Sequence, residues 1–179
     1  NIYKLFLFSI MSFPCLAQDS IQNNGLFQIH SGGSVSGFGH FVNMTGSQFV
    51  NGGAFTLKRN LVNDEVGMAT GTGVLILNGS IQQSIYGSQL FKTFDLNTDN
   101  TAGILLNNDL SVSGTHTFTT GLVSTALTPN YLIYESGAGY SGDNDAKHVN
   151  GWVRKNGADD FSFPVGDGVY ERKAALSSL

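Results

Sequence analysis

Acid–base catalysis on a scaffold of repeated strands needs two carboxylates held close together, one tuned to give a proton and one to take it. In this chain Asp95 is the one acid inside a strong apolar strand, Phe94-Asp95-Leu96. At the repeat step argued below, Ile76 lies one repeat back and Thr115 to Thr117 one repeat on, so no second carboxylate stacks on it. Asp64, Glu65, Asp99, Asp109, Asp143 and Asp145 fall in or beside turns, where Asp commonly bonds its local backbone. A second chemistry is calcium binding, which takes several oxygen ligands. Asp143-Asn144-Asp145, Asp159-Asp160 and Asp167 could supply them, but the spacing is neither an EF-hand nor a calcium roll, and they read as solvated turn acids. His30, His40, His116 and His148 lack ligand spacing and read as strand surface residues. Trp152, Tyr134 and Tyr140 could stack on a sugar ring, yet a lone Trp beside a Gly turn reads as packing. Asn43-Met44-Thr45 and Asn78-Gly79-Ser80 match a glycosylation acceptor and read first as turns. The expectation is therefore no catalytic, cofactor-binding or metal-site residue and no cofactor, which leans away from an enzyme without deciding it.

What would position such residues is a recurrence. Short apolar triplets return with Asn and Gly between them: Phe55-Thr56-Leu57, Leu75-Ile76-Leu77, Phe94-Asp95-Leu96 and Thr117-Phe118-Thr119. Leu57 to Leu77, Leu77 to Leu96, Leu61 to Ile81 and Ile85 to Leu105 are steps of about 20, the length of one solenoid coil and too long for a hairpin step. The fold expected is all-β: a right-handed parallel β-helix, or β-solenoid, of short strands. Leu57, Leu77 and Leu96 should form one inward stack. The alternative is an antiparallel β-sandwich, since Asn51-Gly52, Asn78-Gly79 and Asn150-Gly151 each follow an apolar strand and Asn-Gly favours hairpins. Composition agrees with many strands and tight turns. Gly accounts for 23 of 179 residues, apolar residues for 41% and charged residues for only 12%. A net charge of −4, with no basic cluster beyond Lys58-Arg59, Arg154-Lys155 and Arg172-Lys173, argues against nucleic acid as a partner.

The first residues carry an address. Lys4 supplies a positive charge, residues 5–16 an apolar run, and Cys15-Leu16-Ala17 a cleavage site, so residues 1–17 read as a signal peptide. The run is broken by Ser9, Ser12 and Pro14 and is shorter than the ~20 residues of a membrane span, so the membrane enters only through export. Cys15, the only cysteine, follows Pro14, unlike an acylated lipoprotein cysteine. The domain reading is a signal peptide at 1–17, a β-solenoid at 18–127, and at 128–179 the last coil or the start of a further β module. The chain reads as a piece of a longer one.

Residues 79–87, GSIQQSIYG, followed by Phe91-Lys92-Thr93-Phe94-Asp95-Leu96-Asn97, resemble the repeat of secreted Bacteroidetes surface proteins. Residues 103–125 continue that pattern, as do VNGWVRK at 149–155 and FSFPVGDG at 161–168. The resemblance covers residues 25–176 and implies an adhesin-like β-helical protein, often exported through the type IX route by a C-terminal sorting domain that is not within this chain. It transfers no catalytic residue. The expected role is a non-catalytic cell-surface or secreted module, adhesive or structural. The alternative is part of a polysaccharide-active or carbohydrate-binding β-helix protein whose site lies elsewhere. Expected partners are carbohydrate or other cell-surface components.

Overall fold

The computed structural model describes residues 19–125 and 129–177, which hold twenty-one strands and no helix. Alternating apolar residues can bury one side of a short strand only if another strand lies beside it. Here the chain solves this by coiling, with up to three strands per coil. The first coil is β1 (Ser20–Asn23), β2 (Leu26–Ile29) and β3 (Ser34–Gly37); the second is β4 (His40–Asn43), β5 (Gln48–Asn51) and β6 (Ala54–Leu57). The third has only β7 (Leu61–Asn63) and β8 (Val74–Leu77). The fourth is β9 (Gln83–Tyr86), β10 (Phe91–Thr93) and β11 (Asp95–Asp99); the fifth is β12 (Ile104–Leu106), β13 (Leu110–Val112) and β14 (Thr115–Thr120). The sixth is β15 (Val123–Thr125), β16 (Tyr131–Tyr134) and β17 (Gly139–Ser141). β18 (Val149–Asn150) and β19 (Trp152–Lys155) begin a seventh, and β20 (Phe161–Phe163) pairs with β21 (Ala174–Leu176).

The pairing is that of a β-solenoid. A seven-stranded sheet, β1-β4-β7-β9-β12-β15-β18, forms the first face, and a six-stranded sheet, β3-β6-β8-β11-β14-β17, forms the third. The second face is divided into β2-β5 and β10-β13-β16-β19 by the third coil, which sends buried Met68 inward in place of a strand. Neighbouring coils pair in parallel throughout these sheets, and among the described residues the only antiparallel strand pair is β20 with β21. An antiparallel sandwich is therefore excluded.

The stacks differ from the expected ones. Leu57 lies beside Leu77 as anticipated, but the next member is Thr98, while Leu96 lies beside Leu75. The slip is two residues. It keeps every side chain on its own face, so alternation alone cannot detect it. Phe94 turns out at a corner, and β11 runs on to Asp99. Two further steps also shift. Leu61 pairs with Ile85 and leaves Ile81 50% exposed, and Ile85 pairs with buried Leu106, which turns Leu105 outward. The two inward columns of the third face are thus Phe55-Leu75-Leu96-His116 and Leu57-Leu77-Thr98-Phe118.

Corners are closed by buried amides. Asn23 donates through Nδ2 to Asn43 Oδ1 at 2.9 Å, and Asn43 to Asn63 Oδ1 at 2.8 Å, one coil apart each time. Asn51 donates to Val74 O at 3.0 Å and accepts from Gly53 N at 3.2 Å. The Asn-Gly steps therefore do not all act as left-handed turns. No non-glycine residue described has a positive φ, and of Gly52, Gly79 and Gly151 only Gly151 does. Gly53 and Gly73 serve a different need: a Cβ on either would overlap the carbonyl oxygen of Gly33 or Gly53, one coil back.

Two substitutions test the register. Leu77 is fully buried and Thr56 is outward, so Leu77→Ala should cost about 2–5 kcal/mol and Thr56→Ala clearly less, read from urea midpoints. A larger loss from Thr56→Ala would overturn the assigned faces. Asn43→Ala removes a partner from Asn23, Asn63 and Ser47 together. It should cost more than the ~1–3 kcal/mol of one unsatisfied buried group, whereas Asn97→Ala on the outward face should cost far less.

Candidate functional site

The acids singled out by sequence are drawn into local structure. Asp95 lies beside Val74, not Ile76, and its Oδ1 accepts from Thr115 N at 2.7 Å. Asp159 Oδ2 accepts from Gly137 N at 2.8 Å and lies 3.2 Å from Lys155 Nζ. Asp167 Oδ1 accepts from Val169 N and Tyr170 N at 3.0 and 2.7 Å, and Asn144 Oδ1 from Ala146 N at 2.9 Å. Asp145 Oδ1 accepts from Glu171 N at 2.9 Å. Among the described residues, no group of three or more His, Cys, Asp or Glu is arranged to hold a metal ion.

One carboxyl pair was not legible. Glu171, from the segment before β21, meets Asp143, from the loop after β17, with Lys173 Nζ 2.6 Å from Asp143 Oδ2 and 3.7 Å from Glu171 Oε2. Burial first, then the hydrogen bond and charge of Asp143, push Glu171 up to about 7. Burial also acts upward on Asp143, but hydrogen bonds from Glu171 and Lys173 and the Lys173 charge outweigh it and hold its carboxyl low. Lys173 bridges the two carboxyls and clasps the terminal segment to the loop after β17.

Two histidines expected on the surface are fully buried. His116 shares its parity with Phe118 along β14, and that parity is the signal that could have found it. Its Nε2 lies 3.0 Å from Thr98 Oγ1 and its Nδ1 2.8 Å from the Tyr134 hydroxyl, so both ring nitrogens are satisfied inside the core. Burial lowers the imidazole to about 3, against a smaller opposing charge from Asp143, and burial pushes Tyr134 well above its ordinary value. His148 sits under the terminal turn, with Nδ1 3.2 Å from Asn144 O and Nε2 accepting from Gly168 N at 3.2 Å. The two separated motifs VNGWVRK and FSFPVGDG meet there, through a parallel bridge between Val149 and Val165.

The aromatic candidates part company. Tyr134 is fully buried, and Tyr140 packs on Phe118 and Phe161. Trp152, expected to pack, is 52% exposed. Tyr131, not singled out by sequence, pairs with Trp152 one coil back, ring centroids 6.3 Å apart at 66°. Arg154 lays its guanidinium 4.1 Å from the Tyr131 ring centroid. These residues point outward from the four-stranded half of the second face, together with the column Lys92-Ser111-Ile133-Arg154. Ser111 Oγ donates to Glu135 Oε1 at 2.6 Å and Asn156 Nδ2 to Glu135 Oε2 at 2.9 Å. The Ser111 hydrogen bond is the largest influence on Glu135 and, with the Asn156 bond and the nearby Lys92 and Lys155, holds its carboxyl below the usual range.

Elsewhere, a cavity of about 410 Å³ opens where the second face is divided, between Phe49 and Met68 with Glu65 at its rim. Asn43 of the first glycosylation acceptor is buried in its ladder. Cys15 and the segment at 1–17 lie outside the described residues. No protein-family model, curated protein or solved structure matches this chain.

His116 sets a pH dependence. Its folded value lies below the ordinary 6.5, so below pH 6.5 the unfolded chain takes up a proton that the folded chain refuses. Stability from this group is present above pH 6.5 and lost as pH falls toward 3, at up to about 1.4 kcal/mol per pH unit. Glu171 acts in the opposite sense, since its raised value adds stability as pH falls from about 7 toward 4.5. The difference between wild type and His116→Gln isolates the first effect. Urea stability of the variant should lose less on going from pH 6.5 to 4 than that of wild type; equal slopes would show that His116 titrates normally in the fold.

Proposed function

We propose that this chain is the solenoid module of a secreted or outer-surface protein, adhesin-like in the Bacteroidetes sense, acting as a non-catalytic adhesive or spacer element. The observation that supports this reading is the continuous parallel stack. About six coils at ~4.8 Å per rung make a rod of roughly 29 Å held by continuous ladders on the first and third faces. Such a rod holds its two ends apart and presents side chains on paired strands. The exposed Trp152 with Tyr131 favours a second reading, in which the module belongs to a carbohydrate-binding or polysaccharide-active protein.

Two measurements test this. Beads carrying the purified protein should be retained on polysaccharide- or cell-coated surfaces while no new reducing ends or unsaturated sugars appear. Turnover that disappears in Asp95→Asn would overturn the non-catalytic reading. Export is tested separately: protein recovered from the secreting cell should begin at Gln18. An intact mass showing acylated Cys15 would make it a lipoprotein.

A further inference from the structure

Most outward side chains of this solenoid are small or polar, and many are tied to the next rung. Thr119 Oγ1 donates to Asn97 Oδ1 at 2.8 Å, and Thr120 Oγ1 to Asp99 Oδ1 at 2.9 Å. The C-terminal half of the second face is built differently. It presents the molecule's single Trp, half exposed, on a strand instead of a loop. The backbone below the ring is anchored: Trp152 N donates to Thr125 Oγ1 at 3.2 Å, and Gly151, at φ 148°, leaves no room for a side chain against Thr125. Tyr131 stands at 66° to the indole, and Arg154 over its ring keeps it from rotating away.

We propose that this face is a glycan-binding site: the Trp152 indole stacks on the apolar face of a pyranose ring, Tyr131 forms the side wall, and Arg154 and Glu135 bind the hydroxyl or carboxylate groups of neighbouring sugars. The proposal rests on the reading of a non-catalytic surface module and names its partner. A pyranose presents C–H groups on one face and hydroxyls around its edge. An exposed aromatic plate with fixed donors and acceptors at its margin matches both. Trp152 and Glu135 lie on adjacent rungs and four positions apart along the strand direction, which is about 13 Å. That spacing suits a short run of linked sugars better than a single one. Glu135 is held as an acceptor by Ser111 and Asn156, and Arg154 brings donors without acceptors, so sugar hydroxyls, which do both, find a partner at each point. Nucleic acid is disfavoured by the net charge of −4 and by Asp109 and Glu135 on this face. Because Tyr131, Trp152 and Arg154 stand on paired strands and Glu135 is held by Ser111 and Asn156, little ordering is needed on binding.

The single Trp makes the test direct, since all indole emission comes from the site. Wild-type protein is titrated with two neutral polymers, mixed-linkage β-glucan and xylan, and two uronate polymers, polygalacturonate and alginate. At least one should give a saturable change in emission and retard the protein in an affinity gel. Trp152→Ala should weaken that retardation by about tenfold or more, with only a small drop in melting midpoint because about half of the residue is already exposed. Phe38→Ala, 75% exposed beyond β3, should bind as wild type. Loss in Arg154→Gln confined to the uronates assigns Arg154 to carboxylates, and loss with neutral polymers assigns it to hydroxyls. No emission change with any of the four polymers, or wild-type retardation of Trp152→Ala, overturns the site. Bead adhesion that persists in Trp152→Ala leaves the surface-module reading standing while the site falls.

Discussion

A parallel coil obliges each inward side chain to fill the space above its counterpart one rung away. That constraint governs the whole interior. Apolar members exchange freely, so Phe55, Leu75 and Leu96 share a column although their shapes differ. Polar members cannot, because an unsatisfied buried donor or acceptor loses its water without replacement. The polar members accordingly come in linked sets: Asn23 with Asn43 and Asn63, Gln83 with Asn100, and Thr98 with His116 and Tyr134. Each set joins successive coils along the axis, which the backbone ladders also do. The corners, where no strand pairing is available, are held by amides that reach the neighbouring carbonyls.

The same constraint explains how the stack is interrupted and how it passes into β20 and β21. In the third coil the chain crosses the second face without pairing, and Met68 enters the core where its neighbours use β5 and β10. A flexible thioether suits an irregular space better than a branched side chain. At the C-terminal end the inward column Thr93-Val112-Tyr134 continues to Lys155. Its ammonium reaches Glu135 O at 2.6 Å and Asp159 at 3.2 Å, while Phe161 packs against Tyr134 beneath it. The chain then turns back as β20 and β21, clasped by the Asp143–Lys173 pair. Beside Lys155 the interior is thus ionic on one side and aromatic on the other.

Alternation and the step of about 20 made the coil legible, because both follow from burying one side of a short strand at every turn. Register was legible only in part: the true partner differs from the expected one by two residues at Leu96, by four at Ile81 and by one at Leu105. Moving Leu96 from beside Leu77 to beside Leu75 costs nothing in inward or outward character, and coil lengths that vary, as between Leu61 and Ile85, hide the true partner. By residue type the corner asparagines are turn formers, whereas their work is done by side-chain amides that only the stacked geometry brings together. His116 was misplaced for a related reason. An isolated histidine looks costly to bury, and nothing local announces that Thr98 and Tyr134, from two other coils, satisfy both nitrogens. Asp143 and Glu171, and Tyr131 with Trp152, are likewise partners across distance in sequence.

A solenoid separates stability from recognition more completely than most folds, since inward positions make the rod and outward positions are left to vary. Along the third face part of that freedom is spent on hydroxyls, an amide and carboxylates that bond the next rung. On the second face the outward positions of β16 and β19 carry Tyr131, Trp152 and Arg154, and Tyr131 touches both of the others. Burying half of an indole on a strand already paired contributes little to the fold that a Thr would not, while exposing the other half carries a solvation cost in the free protein. An arrangement that is poor value for folding and rigid in geometry is better explained by what it meets from outside. The rod supplies the rigidity, and the surface chemistry is concentrated where its last coils present aromatic rings to solvent.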